Sequence, residues 1–109
     1  MATDDMGFFG NIWVRQHTLN QYEFSPGHKH YFDHVTLLVS GTIEIEVENN
    51  TKQFIGPTYI IIRKDHEHKI TALSDNVLYY CIFALRDLDG NPLDLYTPEH
   101  DPLSHAIKI

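Results

Sequence analysis

Residues 35–55 read VTLLVSGTIEIEVENNTKQFI and contain three strand-like segments separated by two turn signals. The middle segment, residues 42–48, alternates apolar residues with Glu44, Glu46 and Glu48, which is typical of a strand with one buried and one solvent-facing side. The dipeptides at positions 40–41 (Ser-Gly) and 49–50 (Asn-Asn) flank this segment, and both tolerate the positive φ angles of tight turns. We therefore expect neighbouring strands at residues 35–39 and 52–55.

The remaining sequence continues this pattern of short apolar segments and turns. Residues 12–19 are compatible with an initial strand, and further strands are predicted at residues 59–62, 70–73 and 77–85. Residues 77–85 are so uniformly apolar that we expect both of their faces to be buried. Short strands at this spacing, with no sustained helical period, predict an all-β fold, a small antiparallel barrel or sandwich. Residues 86–109 contain several prolines and are interpreted as an irregular tail that packs on the barrel or on a partner.

Length and charge narrow the functional classes. A chain of 109 residues is expected to form a single domain, spanning residues 1–109 with its core at about 19–85. Fifteen acidic residues against eight basic ones give a formal charge of −7, which disfavours nucleic acid and anionic membranes as partners. The single cysteine, Cys81, excludes an internal disulfide and is interpreted as a small buried residue. These features, and an N-terminus without signal-peptide character, predict a cytoplasmic protein.

The histidine content is the feature in which this composition differs from that of an ordinary globular protein. Five of the eight histidines lie within residues 27–69. His28 and His30 are two positions apart and share one face of a strand, so both can reach a single metal ion. His34 can join them only if residues 31–33 bend the chain, because six extended residues would span roughly 20 Å. The segment Asp-His-Glu-His at positions 65–68 offers a fourth ligand if a barrel folds it back.

The spacing His28-x-His30, three residues, His34, six residues, Gly41 resembles the first motif of the cupins. In that family the third position is usually Glu, and His34 stands there in this chain. Residues 56–68 resemble the second cupin motif in a degraded form, with Arg63, Lys64 and Asp65 in place of the usual Pro and Gly before the ligand. His68 is preferred as the fourth ligand because it leads into an alternating strand. His66 and, less favourably, Glu67 remain alternatives.

The resemblance implies a double-stranded β-helix, or jelly roll, with one divalent metal ion held by His28, His30, His34 and His68. Four neutral imidazoles leave the full charge of +2 on the ion, which suits an anionic chelating substrate. Imidazole binds Fe, Mn, Zn, Ni or Cu, so the ligand type does not select the metal. Similarity to the three-histidine dioxygenases favours a metal-dependent, dioxygenase-like oxidoreductase that acts on a small organic substrate.

Several alternatives stay open from the sequence. A lyase or isomerase would use the same Lewis acidity without dioxygen, and a short cupin can also bind a metal or small ligand without catalysis. A purely structural barrel would make the histidines incidental. We also expect a homodimer, with the N-terminal strand or residues 86–109 crossing between subunits, because small barrels leave strand edges to cover.

Overall fold

Strands are the regular elements of the chain in the computed structural model, which describes residues 3–9, 11–28, 34–63 and 66–91. They are β1 (Thr3–Phe9), β2 (Ile12–Leu19), β3 (Phe24–His28), β4 (His34–Ser40), β5 (Thr42–Val47), β6 (Asn50–Ile55), β7 (Thr58–Ile62), β8 (His68–Ala72) and β9 (Val77–Ala84). Within these ranges no helix has the length and apolar character needed to cross a membrane.

Two antiparallel sheets form the molecule. The first has five strands in the order β1-β2-β9-β4-β7, and the second has four in the order β3-β8-β5-β6. Pairing within both sheets is antiparallel throughout the described residues. The all-β, antiparallel fold predicted from the turn-and-strand pattern is confirmed.

Strand positions agree with the sequence predictions to within two residues at most ends. The strand predicted at residues 12–19 is β2, and the one predicted at 70–73 begins earlier, at His68. Strand β1 was not predicted, because its sequence TDDMGFF has weak strand propensity and is extended through pairing with β2. The predicted turn at positions 49–50 is wrong by one residue. Val47 pairs with Asn50, and Glu48 and Asn49 occupy the turn with φ of 47° and 70°.

Gly41 is the point where the chain leaves one sheet for the other. Strand β4 belongs to the five-stranded sheet and β5 to the four-stranded sheet, so this turn is a crossing and not a hairpin. The φ of Gly41 is +89°, a conformation that favours glycine. A Cβ at this position would lie 2.7 Å from Cγ2 of Val77, so the close approach of β9 also requires glycine.

The hydrophobic core fills the space between the two sheets. Its most buried members come from β2, β4, β5, β7, β8 and β9 and include Leu38, Ile43, Ala72 and Tyr79, each with no exposed surface. The expectation that β9 is buried on both faces is wrong. Val77 and Tyr79 are buried, whereas the outward-facing residues of β9 are only half-buried. Residues 92–109, most of the predicted tail, lie outside the described residues.

Candidate metal centre

His34 and His68 meet in the interior although they belong to different sheets. His34 is the first residue of β4 and His68 the first of β8, and their side chains are 4% and 2% exposed. The centroids of their rings are 5.5 Å apart, with the planes tilted by 46°. Each has an apolar partner on one neighbouring strand, because His34 pairs with Ile62 and His68 pairs with Val47.

The separation of these rings fits two imidazoles on one ion. A metal–nitrogen bond of about 2.1 Å places a ring centroid roughly 3.2 Å from the metal, so two rings at a tetrahedral angle have centroids about 5.2 Å apart. The observed 5.5 Å lies close to this value. Burial also leaves few water molecules to compete with a metal ion for these nitrogens.

A backbone carbonyl sets the tautomer of His68. Its Nδ1 lies 3.2 Å from the carbonyl oxygen of His66, and since a carbonyl only accepts hydrogen bonds, Nδ1 carries the proton. With the proton on Nδ1, Nε2 is the ring nitrogen that could ligate a metal. Metal-binding histidines commonly donate their second nitrogen in this way, which fixes the orientation of the ring.

The other two predicted ligands are described only in part. The backbone of His28 lies directly opposite His68 in the β3–β8 register, at a point where that register shifts. The side chain of His28 and all of His30 lie outside the described residues. Among the side chains that the structure describes, no group of three or more histidine, cysteine, aspartate or glutamate residues is placed to hold a metal.

His66, the alternative fourth ligand, lies at the surface. Its Nδ1 is 3.3 Å from Oε1 of Glu48, and the two side chains are 42% and 56% exposed. Glu67, the third alternative, is exposed. The buried position near His34 is therefore held by His68 and not by its two neighbours.

A cleft of about 640 Å³ opens between β6 and β7, the adjacent edges of the two sheets. Its wall is mostly apolar and includes Val47 and Ile62, which are the strand partners of His68 and His34. Lys52, Arg63 and His66 add cationic or ionisable groups to the lining. His34 and His68 do not line the cleft themselves, but its apolar wall includes their strand partners.

A set of polar residues that was not predicted from the sequence lies on the inner face of the five-stranded sheet. Arg15 of β2 pairs with Cys81 of β9, and Cys81 pairs with Thr36 of β4. The Thr36 hydroxyl and the Cys81 sulfur are 3.8 Å apart. One row away, the ring of His17 stacks on Tyr79 with centroids 4.6 Å apart. Alternation along residues 12–19 predicts that Arg15 and His17 lie on the same face of a strand. It does not predict that this face is the inner one.

Burial dominates the chemistry of Cys81. It raises the pKa of the thiol, while the hydrogen bond to Thr36 and the positive charge of Arg15 lower it to a smaller extent. The result is a thiol that stays protonated at neutral pH, unlike the activated thiolates of catalytic cysteines.

Comparison with known proteins supports the fold. No protein-family model matches the chain, and no curated protein matches it. Solved structures do match, among them a cupin superfamily protein from Desulfitobacterium hafniense, with a TM-score of 0.70, 9% identity, and coverage of 78% of each chain. An RmlC-like cupin with a double-stranded β-helix from Methanocaldococcus jannaschii has a TM-score of 0.66 at 10% identity, covering 75% of this chain and 80% of its own. The chain has the cupin fold.

KdgF from a Halomonas species is also similar, with a TM-score of 0.69, 17% identity, and coverage of 81% of this chain and 82% of that one. Structural similarity at such low sequence identity establishes the fold. The chemical function depends on the particular residues of each chain. In this cupin-fold protein His34, His68 and their surroundings are the residues that bear on function.

Proposed function

We propose that this cupin-fold protein binds one divalent metal ion through His28, His30, His34 and His68. The observation that carries the proposal is the pair of buried imidazoles, His34 and His68, whose rings are separated by a distance suited to a shared ion. Register adds support, because the backbone of His28 lies opposite His68. The donor set of neutral nitrogens suits Fe, Mn, Zn, Ni or Cu.

The proposed activity is that of a metal-dependent, dioxygenase-like oxidoreductase acting on a small organic substrate. When bound, the metal supplies Lewis acidity and a site for an anionic chelating substrate. The chain supplies the rest of the site: apolar side chains such as Val47 and Ile62 exclude water, and the cleft between β6 and β7 admits the substrate. Dioxygen would be the oxidant, with both of its atoms entering the substrate.

Oxygen uptake tests the enzymatic part of the proposal. Protein loaded with ferrous iron is incubated with diketone and catechol-type substrates, and dioxygen consumption is followed with an electrode. The matched control is the double variant His28→Ala/His30→Ala, which removes two of the four proposed ligands. Uptake by the wild-type protein and not by the variant supports a dioxygenase.

A non-catalytic metal- or ligand-binding module is the alternative from another class. It is favoured if the wild-type protein holds stoichiometric metal yet consumes no dioxygen with any substrate of the panel. A lyase or isomerase is distinguished by substrate loss without oxygen uptake, which mass spectrometry of the same reactions detects. Absence of metal from the wild-type protein contradicts the metal-dependent enzymes and the metal-binding module, and leaves only a module that binds a small ligand.

A further inference from the structure

The cleft between β6 and β7 lies between the outer edges of the two sheets. Strand β6 ends the order of the four-stranded sheet and β7 ends that of the five-stranded sheet, so each pairs with one other described strand. The cleft has a volume of about 640 Å³. Sites for small molecules are commonly clefts of about 300–1,000 Å³ that are lined by apolar side chains and a few polar groups. This cleft is therefore large enough for a small organic ligand.

Apolar side chains from both sheets line the cleft. Phe54 of β6 pairs with Ile43, which is fully buried, so Phe54 points to the inner side of its sheet. Ile62 of β7 pairs with the buried His34 and points inward from the other sheet. Phe54 is only half-buried, so part of this aromatic side chain is still available to an apolar ligand.

Two basic side chains share this lining. Lys52 of β6 lies directly opposite Ile45, which is 4% exposed, so Lys52 starts from the inner side of the sheet. Lysine on an edge strand also discourages pairing with another chain. Arg63 lines the same cleft but follows the end of β7 and belongs to no strand. Protection of a strand edge therefore does not account for both cations.

The charge of the cleft lining is opposite in sign to that of the chain. The chain has fifteen acidic and eight basic residues and a formal charge of −7. The described lining contains Lys52 and Arg63 but only one acidic residue, Glu48. Oε1 of Glu48 lies 3.3 Å from Nδ1 of His66, which is also part of the lining. The cleft thus has a local excess of positive charge, which attracts an anionic group.

A carboxylate has the chemistry that these two side chains recognise. The guanidinium of Arg63 can bind it through two parallel hydrogen bonds, and the ammonium of Lys52 can donate further hydrogen bonds. An apolar ligand body gains about 25 cal/mol for each Å² that it buries against the apolar wall. A molecule that is cationic, or polar throughout, gains neither of these contributions.

We propose that the cleft between β6 and β7 binds a small organic acid. The apolar body of the acid lies between Phe54 and Ile62, and its carboxylate lies at Lys52 and Arg63. The ligand class is therefore a carboxylic acid with an apolar body.

The cleft is close to the proposed metal centre. Asn50 lines the cleft and pairs with Val47, which pairs with His68 on its other side. Two strand spacings, a backbone separation of roughly 10 Å, therefore lie between Asn50 and His68. The inference rests on the proposed function where it takes this acid to be the substrate, but binding of the acid can be measured in protein without metal.

Ligands that share one apolar body and differ in the head group test the proposal. The acid 4-phenylbutyrate, the neutral 4-phenylbutan-1-ol and the cationic 4-phenylbutylamine are titrated calorimetrically into wild-type protein freed of metal with a chelator. Octanoate and octan-1-ol repeat the comparison with an aliphatic body. We expect at least one acid to bind ten-fold or more tightly than its alcohol and than the amine. Acetate, a carboxylate without an apolar body, should bind at least ten-fold more weakly than that acid.

Two double variants of equal net charge separate the cleft from the overall field of the protein. Lys52→Gln/Arg63→Gln removes both cations of the cleft. Lys69→Gln/Arg86→Gln removes two cations that do not line it, since Lys69 lies on the outer side of β8 and Arg86 donates to the carbonyl of Gly90. We expect the first variant to bind the acid ten-fold or more weakly and the second to bind it like wild type. The single variants Lys52→Gln and Arg63→Gln serve if the first double variant does not fold.

Several outcomes overturn the proposal. They are failure of both acids to bind the wild-type protein, equal affinity for acid and alcohol, and equal affinity of the two double variants for the acid. Acid binding that depends on Lys52 and Arg63, in a protein that holds no metal after loading, supports the cleft and contradicts the metal centre. A protein that holds one metal ion per chain but binds neither acid contradicts the cleft and leaves the metal centre standing.

Discussion

The rings of His34 and His68 lie 5.5 Å apart across the interior, and their strands belong to different sheets. The pair can persist only while the two sheets keep their relative position, which is maintained by the core between them. An ion shared by these rings would connect the sheets directly. Metal binding and folding stability are therefore expected to be coupled in this protein.

Replacing His68 by alanine should weaken metal binding more than replacing His66. His68 is buried next to His34, whereas His66 is at the surface beside Glu48. We expect loss of stoichiometric metal in His68→Ala and a loss of no more than about ten-fold in affinity in His66→Ala, whose side chain is not a ligand. Competition with a chromogenic chelator measures both affinities. Equal effects, or the reverse order, would mean that the fourth ligand is wrongly assigned.

Metal retention should fall steeply on acidification. An unperturbed imidazole has a pKa near 6.5 and must be neutral to ligate, so protons compete for all four nitrogens. Metal affinity should therefore fall as the pH is lowered, with more than one proton taken up per ion released. Equilibrium dialysis across pH 5–8 measures how steeply the metal affinity changes with pH. A shallow dependence on one proton would instead indicate carboxylate ligands such as Asp33 or Glu67.

Gly41→Ala should destabilise the fold markedly. The added Cβ would lie 2.7 Å from Cγ2 of Val77, at a φ of +89° that L-residues avoid. We expect the free energy of unfolding to fall by about 2–4 kcal/mol in urea titrations. Gly90 is the matched control, since it has a φ of +86° but a Cβ added there would meet no atom within 4 Å, and Gly90→Ala should cost only about 1 kcal/mol. Similar losses for both variants would exclude steric crowding at Gly41.

The Cys81 thiol should react slowly with iodoacetamide at neutral pH. Burial raises its pKa, so the reactive thiolate forms only at alkaline pH. Arg15 lowers this pKa, so Arg15→Gln should shift the midpoint of the alkylation profile to higher pH, whereas Arg86→Gln should leave it unchanged. A midpoint unaffected by Arg15→Gln would show that the guanidinium does not face Cys81.

Local sequence patterns were sufficient to predict most of the described strands, though not β1, but they did not predict the partners of the strands. Alternation in residues 42–48 and the turn residues around it predicted β5 and its neighbours, because a strand repeats every two residues and its pattern can be recognised locally. The crossing at Gly41 was not predictable, because a Ser-Gly pair is compatible with a hairpin as well as with a change of sheet. Which sheet receives each strand is decided by packing between distant segments.

The candidate site was likewise predictable from the sequence only in part. Sequence spacing brought out His28, His30, His34 and His68, and the structure brings His34 and His68 together. The inner position of Arg15 could not be predicted, because both sides of β2 mix apolar and polar residues. Ile12 and Val14 share one side with two polar residues, and Arg15 and His17 share the other with Trp13 and Leu19. Pairing with β9 aligns Arg15 and His17 with Cys81 and Tyr79 on the inner face.

The metal content of the purified protein tests the central claim most directly. Elemental analysis after extensive dialysis is expected to find about one divalent transition-metal ion per chain in the wild type and essentially none in His28→Ala/His30→Ala, with circular dichroism showing that both are folded. A folded double variant that keeps stoichiometric metal, or a wild type that holds none after loading with iron, zinc, manganese, nickel or copper, would contradict the four-histidine centre.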